Sequence, residues 1–353
     1  MSVSVLELPP NGVPRFYRGG AAISELRGFE PGGERVPEEW IGSTTTVFGE
    51  PDLGLSRLPD GTLLREAIAA DPEGWLGPDH VARFGADPAL LVKLLDAGQR
   101  LPVHLHPDGA FAGEHLGTRF GKTEAWIVIA ARPGAQVHVG FKDDVPADTV
   151  RAWVQTQDHD AMLGALNPVD VTAGDAIFVP AGVAHAIGEG LLIVELQEPT
   201  DMSILLEWDG FGIADEAEAT LGLGWDTALG CVERDARDPA PLRGSSSDGA
   251  VAELLPRQAH AFFSAQRVAP AGDATRLEQG FAVVVVLEGA GTIAGRDVER
   301  GAALLVPHAA GAVTVEGELT AIACRPPAVG AVGAGEAPTG GAGGEGGPSG
   351  VAP

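Results

Sequence analysis

Three separated segments limit what this chain can fold into, because together they carry the makings of one metal site: His104-Leu105-His106-Pro107, Lys122-Thr123-Glu124, and the stretch from Gly174 to His185. Two histidines at i and i+2 on a strand project to the same face, so one divalent ion can meet both. A carboxylate and a third imidazole from neighbouring strands would complete an N₃O set, which suits zinc and also iron or manganese. Ligands arriving this way ask for a β framework.

The chain is long enough for two domains or one large β architecture, and its 44% apolar content can fill a real core. Acidic residues outnumber basic ones 49 to 23, giving a formal charge of −26, which repels nucleic acid and anionic membrane surfaces alike. An anionic substrate would therefore need its own local basic pocket. Cys231 and Cys324 are the only cysteines, which excludes a disulfide framework or a cysteine zinc cluster and fits a reducing compartment. Residues 1–14 show no basic region followed by an apolar one, and no window approaches the roughly 18 apolar residues of a membrane span. A soluble, cytoplasmic protein is expected. Glycine-rich runs lack the strand-turn-helix setting of a phosphate loop, so no nucleotide site is expected.

Short apolar runs broken by glycine and proline read as strands and turns from Arg15 to Glu50, including Trp40-Ile41-Gly42-Ser43. Over 61–90 the pattern turns helical, with Leu63, Leu64, Ala67 and Ile68 at helical spacing and Asp60 placed to cap the helix. Strands are expected at 91–95, 103–106, 126–129, 136–140, 169–172 and 176–179, with helix-compatible stretches over 146–166. A weak internal repeat ties Val171 to Pro180 to Val298 to Pro307. The second copy carries Ala312 where the first has His185, and no His-x-His pair precedes it. These features predict a metal-binding domain over 1–233, a linker or exposed loop over 234–249, a degenerate, metal-free β domain over 250–328, and a disordered Gly/Ala/Pro tail over 329–353.

Gly174 to His185 follows the spacing G-x₅-P-x-G-x₂-H, which resembles the second motif of the cupin (jelly-roll) barrels and coincides with an upstream His-x-His pair. The likeness narrows further. Lys93-Leu94-Leu95-Asp96-Ala97, Val103 to Asp108, Gly121-Lys122-Thr123-Glu124-Ala125-Trp126, Val179 to Gly182 and His185-Ala186-Ile187 resemble, in order and spacing, the type I phosphomannose isomerases. The resemblance runs from about Arg15 to Asp201. It implies a mainly β fold, a cupin barrel with helical insertions followed by a reduced second β unit. It implies a metal, zinc in that family, held by His104, His106, Glu124 and His185, with His104 standing where the family carries glutamine. Three protein ligands plus water is the alternative, since a catalytic metal needs an open position. The implied reaction interconverts an aldose and a ketose through an enediol, as between mannose 6-phosphate and fructose 6-phosphate, with Lys122 and Glu195 as acid and base and Lys93 as a further active-site lysine.

Two departures stand out. Pro102 takes the place of a family serine and Leu205 that of a family arginine, both of which serve the phosphate. Losing such charge-assisted contacts costs roughly 1.5–3 kcal/mol each. Arg119, Lys142 and Arg151 are the candidates to replace them, and Glu207, Trp208 and Asp209 would suit hydroxyls and an apolar sugar face. The implied partner is a small-molecule sugar or sugar phosphate, with an unphosphorylated sugar as one form. The competing readings are a cupin of another class, a dioxygenase or epimerase, and a non-catalytic sugar-binding cupin.

Overall fold

The computed structural model describes residues 4–29, 32–245 and 248–328; the expected tail over 329–353 lies outside them. Two antiparallel sheets meet around the histidines. One runs Gly12–Val13, Glu38–Ile41, Leu91–Asp96, Leu191–Gln197, Glu124–Ala131, Ala176–Val179; the other runs Ile204–Leu205, His104–Leu105, His185–Ile187, Gln136–Phe141, Leu166–Asp170. This is the jelly-roll barrel expected from the sequence. A third, eight-stranded antiparallel sheet is built mainly from Val251–Glu253 through Val313–Arg325. It also takes in Leu6–Glu7, where Leu6 pairs with Leu305 and Glu7 with Leu304, so this short strand from the start of the described residues belongs to the third sheet. Both copies of the repeat form strands, Ala176–Val179 and Ala303–Val306, each entered through a glycine at positive φ, Gly174 at 95° and Gly301 at 92°.

Strand register decides which residues face the site. Trp40, Lys93, Glu195 and Trp126 lie directly opposite one another across four strands, so they share one face. On the facing sheet, His104 pairs with both His185 and Leu205. The other face of the six-stranded sheet, carrying Ile41, Val92 and Leu94, packs with Leu8, Val283 and Leu305 in one buried cluster. Every residue of Leu91–Asp96 is consequently buried, Lys93 among them. The rings of Phe178, Phe262 and Phe263 extend this cluster between the units, with centroids 6.2–6.4 Å apart.

Three helices, Leu64–Ala70, Pro72–Leu76 and Pro78–Phe84, fill the expected insertion, and Ala147–Thr156 and His159–Ala165 form the later pair. Asp60 does not cap the first of them. Its carboxylate accepts from the Thr62 N–H in the preceding turn, and the helix starts at Leu64 without a side-chain cap. Ala22–Arg27 is helical where strands and turns were expected. Its N-terminal N–H groups, of Ala22 and Ile23, donate to Asp96 Oδ2 at 2.7 and 3.4 Å, so its cap comes from a distant strand and leaves no local start signal. The segment expected as a linker is laid along the barrel as a strap: Arg237 N–H donates to the Phe141 carbonyl, Gly244 N–H to that of Ala176, and Leu242 is buried. Among the described residues, no helix is long and apolar enough to cross a membrane.

A close backbone crossing next to Asp96 makes a sharp test of this packing. A Cβ on Gly98 would fall 2.1 Å from the Gly19 carbonyl oxygen, backbone against backbone, whereas one on Gly164, inside the helix His159–Ala165, meets nothing within 4 Å. Gly98→Ala should lower the urea-unfolding free energy by more than about 2 kcal/mol, while Gly164→Ala should raise it by about 0.5 kcal/mol.

Candidate metal centre

His104, His106 and His185 come together deep in the barrel, each at most 7% exposed, and they form the group of potential metal ligands found among the described residues. The β-strand spacing does the positioning: His104 and His185 are direct cross-strand partners, and His106 follows His104 by two residues. Each ring is fixed through Nδ1, at 2.8 Å from a backbone carbonyl, that of Pro102 for His104, Val183 for His185 and Met202 for His106. A carbonyl can only accept, so each Nδ1 carries a proton and each Nε2 is the ring nitrogen left to face the centre. Those Nε2 atoms point at one another and at Glu124. His104 Nε2 lies 3.0 Å from His185 Nε2, Glu124 Oε2 is 2.9 Å from His106 Nε2, and Glu124 Oε1 is 3.3 Å from His185 Nε2.

This donor set fits a divalent cation. Three imidazole Nε2 atoms and a carboxylate converge on one point, and Glu124 Oε2 is buried with no hydrogen-bond partner of its own. Burial, with His185 and His106 alongside, holds the His104 imidazole well below the usual histidine range, and burial with Lys122 brings His106 down to about 3. Burial pushes the Glu124 carboxyl up, but His106 and Lys122 outweigh it and hold the group well below the usual range. Neutral imidazoles beside an ionised carboxylate are the ligand forms. Trp126 Nε1–H donates to Glu124 Oε1 at 2.9 Å and fixes the carboxylate's orientation. Lys122 sits at the same focus, its Nζ 3.1 Å from His106 Nε2 and 3.5 Å from Glu124 Oε2.

Beside the histidines lies a second buried group of charges that the sequence reading found only in part. Lys93 and Glu195, both expected at the site, stand 3.9 Å apart on neighbouring strands. Around them are Glu38, 3.6 Å from Lys93, and Asp201, 4.0 Å from Lys93 and bonded twice by Arg15 at 2.8 and 3.1 Å. Tyr17 Oη–H and Trp40 Nε1–H donate to the two oxygens of Glu38. Burial pulls Lys93 down, but Glu195, Glu38 and Asp201 together raise it, so it remains an ammonium. Burial dominates at Glu195; opposed by Lys93 and reinforced by Glu124, it lifts the carboxyl to about 8. Arg15, Tyr17, Glu38 and Asp201 went unnoticed in the sequence. The available signal was the i and i+2 relation of Glu38 to Trp40, which puts the carboxylate on the same face as the tryptophan.

Pro102 and Leu205 do line the cavity over this site, together with Leu101, Ile187 and Ser203. The three candidates to replace them lie elsewhere, as solvated surface charges would. Arg119 donates to the Phe84 carbonyl, Lys142 to that of Gly164, and Arg151 pairs with Asp226 at 2.8 Å, all away from the cavity. Glu207 offers nothing to a sugar: it is fully buried, doubly bonded by Arg100 and capped by the Val103 N–H. Trp208 and Asp209 follow it outward, where the Gln157 side chain receives their N–H groups.

Metal analysis and chelator competition should find one divalent ion per chain, with His106→Ala, His185→Ala or Glu124→Gln each weakening binding at least about tenfold and Trp126→Phe weakening it less. Retention of wild-type affinity in the two histidine variants would refute the site. A second expectation concerns pH. Glu195 ionises near 8 in the fold but near 4.3 in an unfolded chain, so between those values the folded state binds the proton more tightly. Its contribution to stability is complete below the unfolded value and is lost as pH rises toward 8. Urea unfolding of chelator-treated protein at pH 5 and pH 8 should show a smaller loss of stability in Glu195→Gln than in the wild type.

No protein-family model matches the chain. Over 187 residues it is 35% identical to the mannose-6-phosphate isomerase of Streptococcus mutans, covering 52% of this chain and 54% of that one. Over 237 residues it is 30% identical to the mannose-6-phosphate isomerase ManA of Bacillus subtilis, covering 65% of this chain and 72% of that one. For the other curated relatives too, the chain spans about half their length. The crystal structure of a mannose 6-phosphate isomerase from Bacillus subtilis superposes with a TM-score of 0.75 at 22% identity, over 92% of this chain and all of that one. A phosphomannose isomerase variant from Salmonella typhimurium gives 0.71 at 16% identity, again over 92% of this chain. Both superpose over 92% of this chain, which shows a common fold. With 30% identity across 72% of one such enzyme, a common fold and a buried three-histidine centre, the chain belongs to the type I mannose-6-phosphate isomerase family of the cupin fold.

Proposed function

We propose that this chain is a metal-dependent aldose-ketose isomerase, acting on a mannose-type sugar, with His104, His106, Glu124 and His185 as metal ligands and Glu195, Lys122 and Lys93 as the residues that handle protons and charge. The observation that carries the reading is the pairing of two sites in one cavity: three oriented imidazoles with a carboxylate, and a buried carboxyl that ionises near neutrality beside two ammonium groups. The family relationship supports it, since the curated relatives are named mannose-6-phosphate isomerases. Zinc suits an N₃O set best, and iron or manganese would be accepted by the same ligands. The catalytic role falls to residues 1–233, with 250–328 as a supporting unit. Two free thiols, Cys231 and Cys324, and the acidic composition agree with a cytoplasmic setting.

Isomerisation moves a proton between C1 and C2 through an enediol. A bound divalent ion would polarise the sugar oxygens and stabilise the developing oxyanion. The chain's own residues do the rest. Glu195, lifted to about 8, is matched to taking and returning a proton near neutral pH. Lys93 stays cationic beside it and presents a donor to a sugar hydroxyl, while Glu38 and Asp201 fix its ammonium in place. Lys122, next to Glu124 at the metal ligands, is a second donor close to the reacting carbons.

The direct test is exchange in heavy water. Metal-loaded protein incubated with mannose and, separately, with mannose 6-phosphate should incorporate deuterium next to the carbonyl and yield the ketose with at least one of them. Glu195→Gln should keep its metal yet lose at least about 100-fold in exchange rate. Absence of exchange with both substrates in the wild type would end this reading.

A further inference from the structure

The charges on the cavity wall bear on the substrate itself. Among the described residues, each cation lining the cavity already has a carboxylate. Arg15 is bonded to Asp201 and lies 3.4 Å from Glu38; Lys93 is surrounded by Glu38, Glu195 and Asp201; Lys122 lies against Glu124. Arg100, next along the chain to the lining residue Leu101, is bound on two nitrogens by Glu207. Opposite these charges the wall is apolar, formed by Leu101, Pro102, Ile187 and Leu205, and its neutral polar group is the hydroxyl of Ser203. Leu205 is the direct cross-strand partner of His104, so this apolar wall begins at the metal centre.

We infer that this site takes an unphosphorylated aldose or ketose and discriminates against its phosphate ester; the inference rests on the isomerase reading above and names its substrate class. A phosphate dianion needs cations free to pair with it, and here it would have to break buried ion pairs or lie against aliphatic side chains, leaving charge unpaired in either case. Hydroxyl groups meet no such obstacle. Each can donate to a carboxylate and accept from an ammonium without separating the two, and the apolar wall suits the carbon face of a sugar. The formal charge of −26 adds a long-range term of the same sign.

Binding can be measured apart from turnover with polyols that have no carbonyl. Titration calorimetry of the metal-loaded full chain with mannitol and with mannitol 1-phosphate should give at least about tenfold tighter binding of mannitol. Equal or tighter binding of the phosphate ester overturns the inference, as does failure of mannitol to bind. The heavy-water exchange separates the two conclusions: exchange with mannose 6-phosphate alone leaves an isomerase standing and removes the neutral substrate.

Discussion

The carboxylate of Glu124 is the contact on which the interior depends. It hangs from the six-stranded sheet and reaches His106 and His185 on the other side of the barrel, Lys122 two residues before it and the indole N–H of Trp126 two residues after. Each of those partners is buried, and buried polar groups are costly unless they are matched. One charge thus answers an ammonium and an indole, and it leaves one oxygen, beside the two rings, without a hydrogen-bond partner for an ion to meet.

How much of this was legible follows from where each constraint is written. The meeting of His104, His106 and His185 could be read because strand spacing and a motif with fixed glycines and proline are local properties of the chain, whereas Lys93, Lys122 and Glu195 were picked out only through the resemblance to the isomerase family. The strands holding them were legible for the same reason, although Leu91–Asp96 is buried on both faces and alternates in charge more than in hydrophobicity. Helix Ala22–Arg27 was not legible, because its cap is Asp96. Arg15, Tyr17 and Asp201 join the site by contacts that only the closed barrel creates. Glu207 was misjudged for a similar reason: nothing near it in sequence announces that Arg100 consumes it.

The second β unit explains how so polar an interior can exist. A sheet that places lysine and glutamates on one face must bury the other thoroughly, and the Val283 and Leu305 face supplies that cover against Ile41, Val92 and Leu94. Its repeat of the glycine turn and strand carries Ala312 where the first copy has His185. The buried charged groups on the inner face then rest on a rigid base, since the strands beneath them are packed on both sides.

The pairing of Leu6 with Leu305 also sets an order of events during synthesis. Translation proceeds from residue 6 toward residue 305, so the first strand emerges long before the edge it completes. Until Ala303–Val306 leaves the ribosome, Leu6–Glu7 has no ladder to join, and the apolar outer face of the barrel sheet stands uncovered. The barrel's polar interior can close early while its back stays sticky. The nascent chain is therefore most exposed to misassociation in the interval between making its histidine centre and making the unit that covers it.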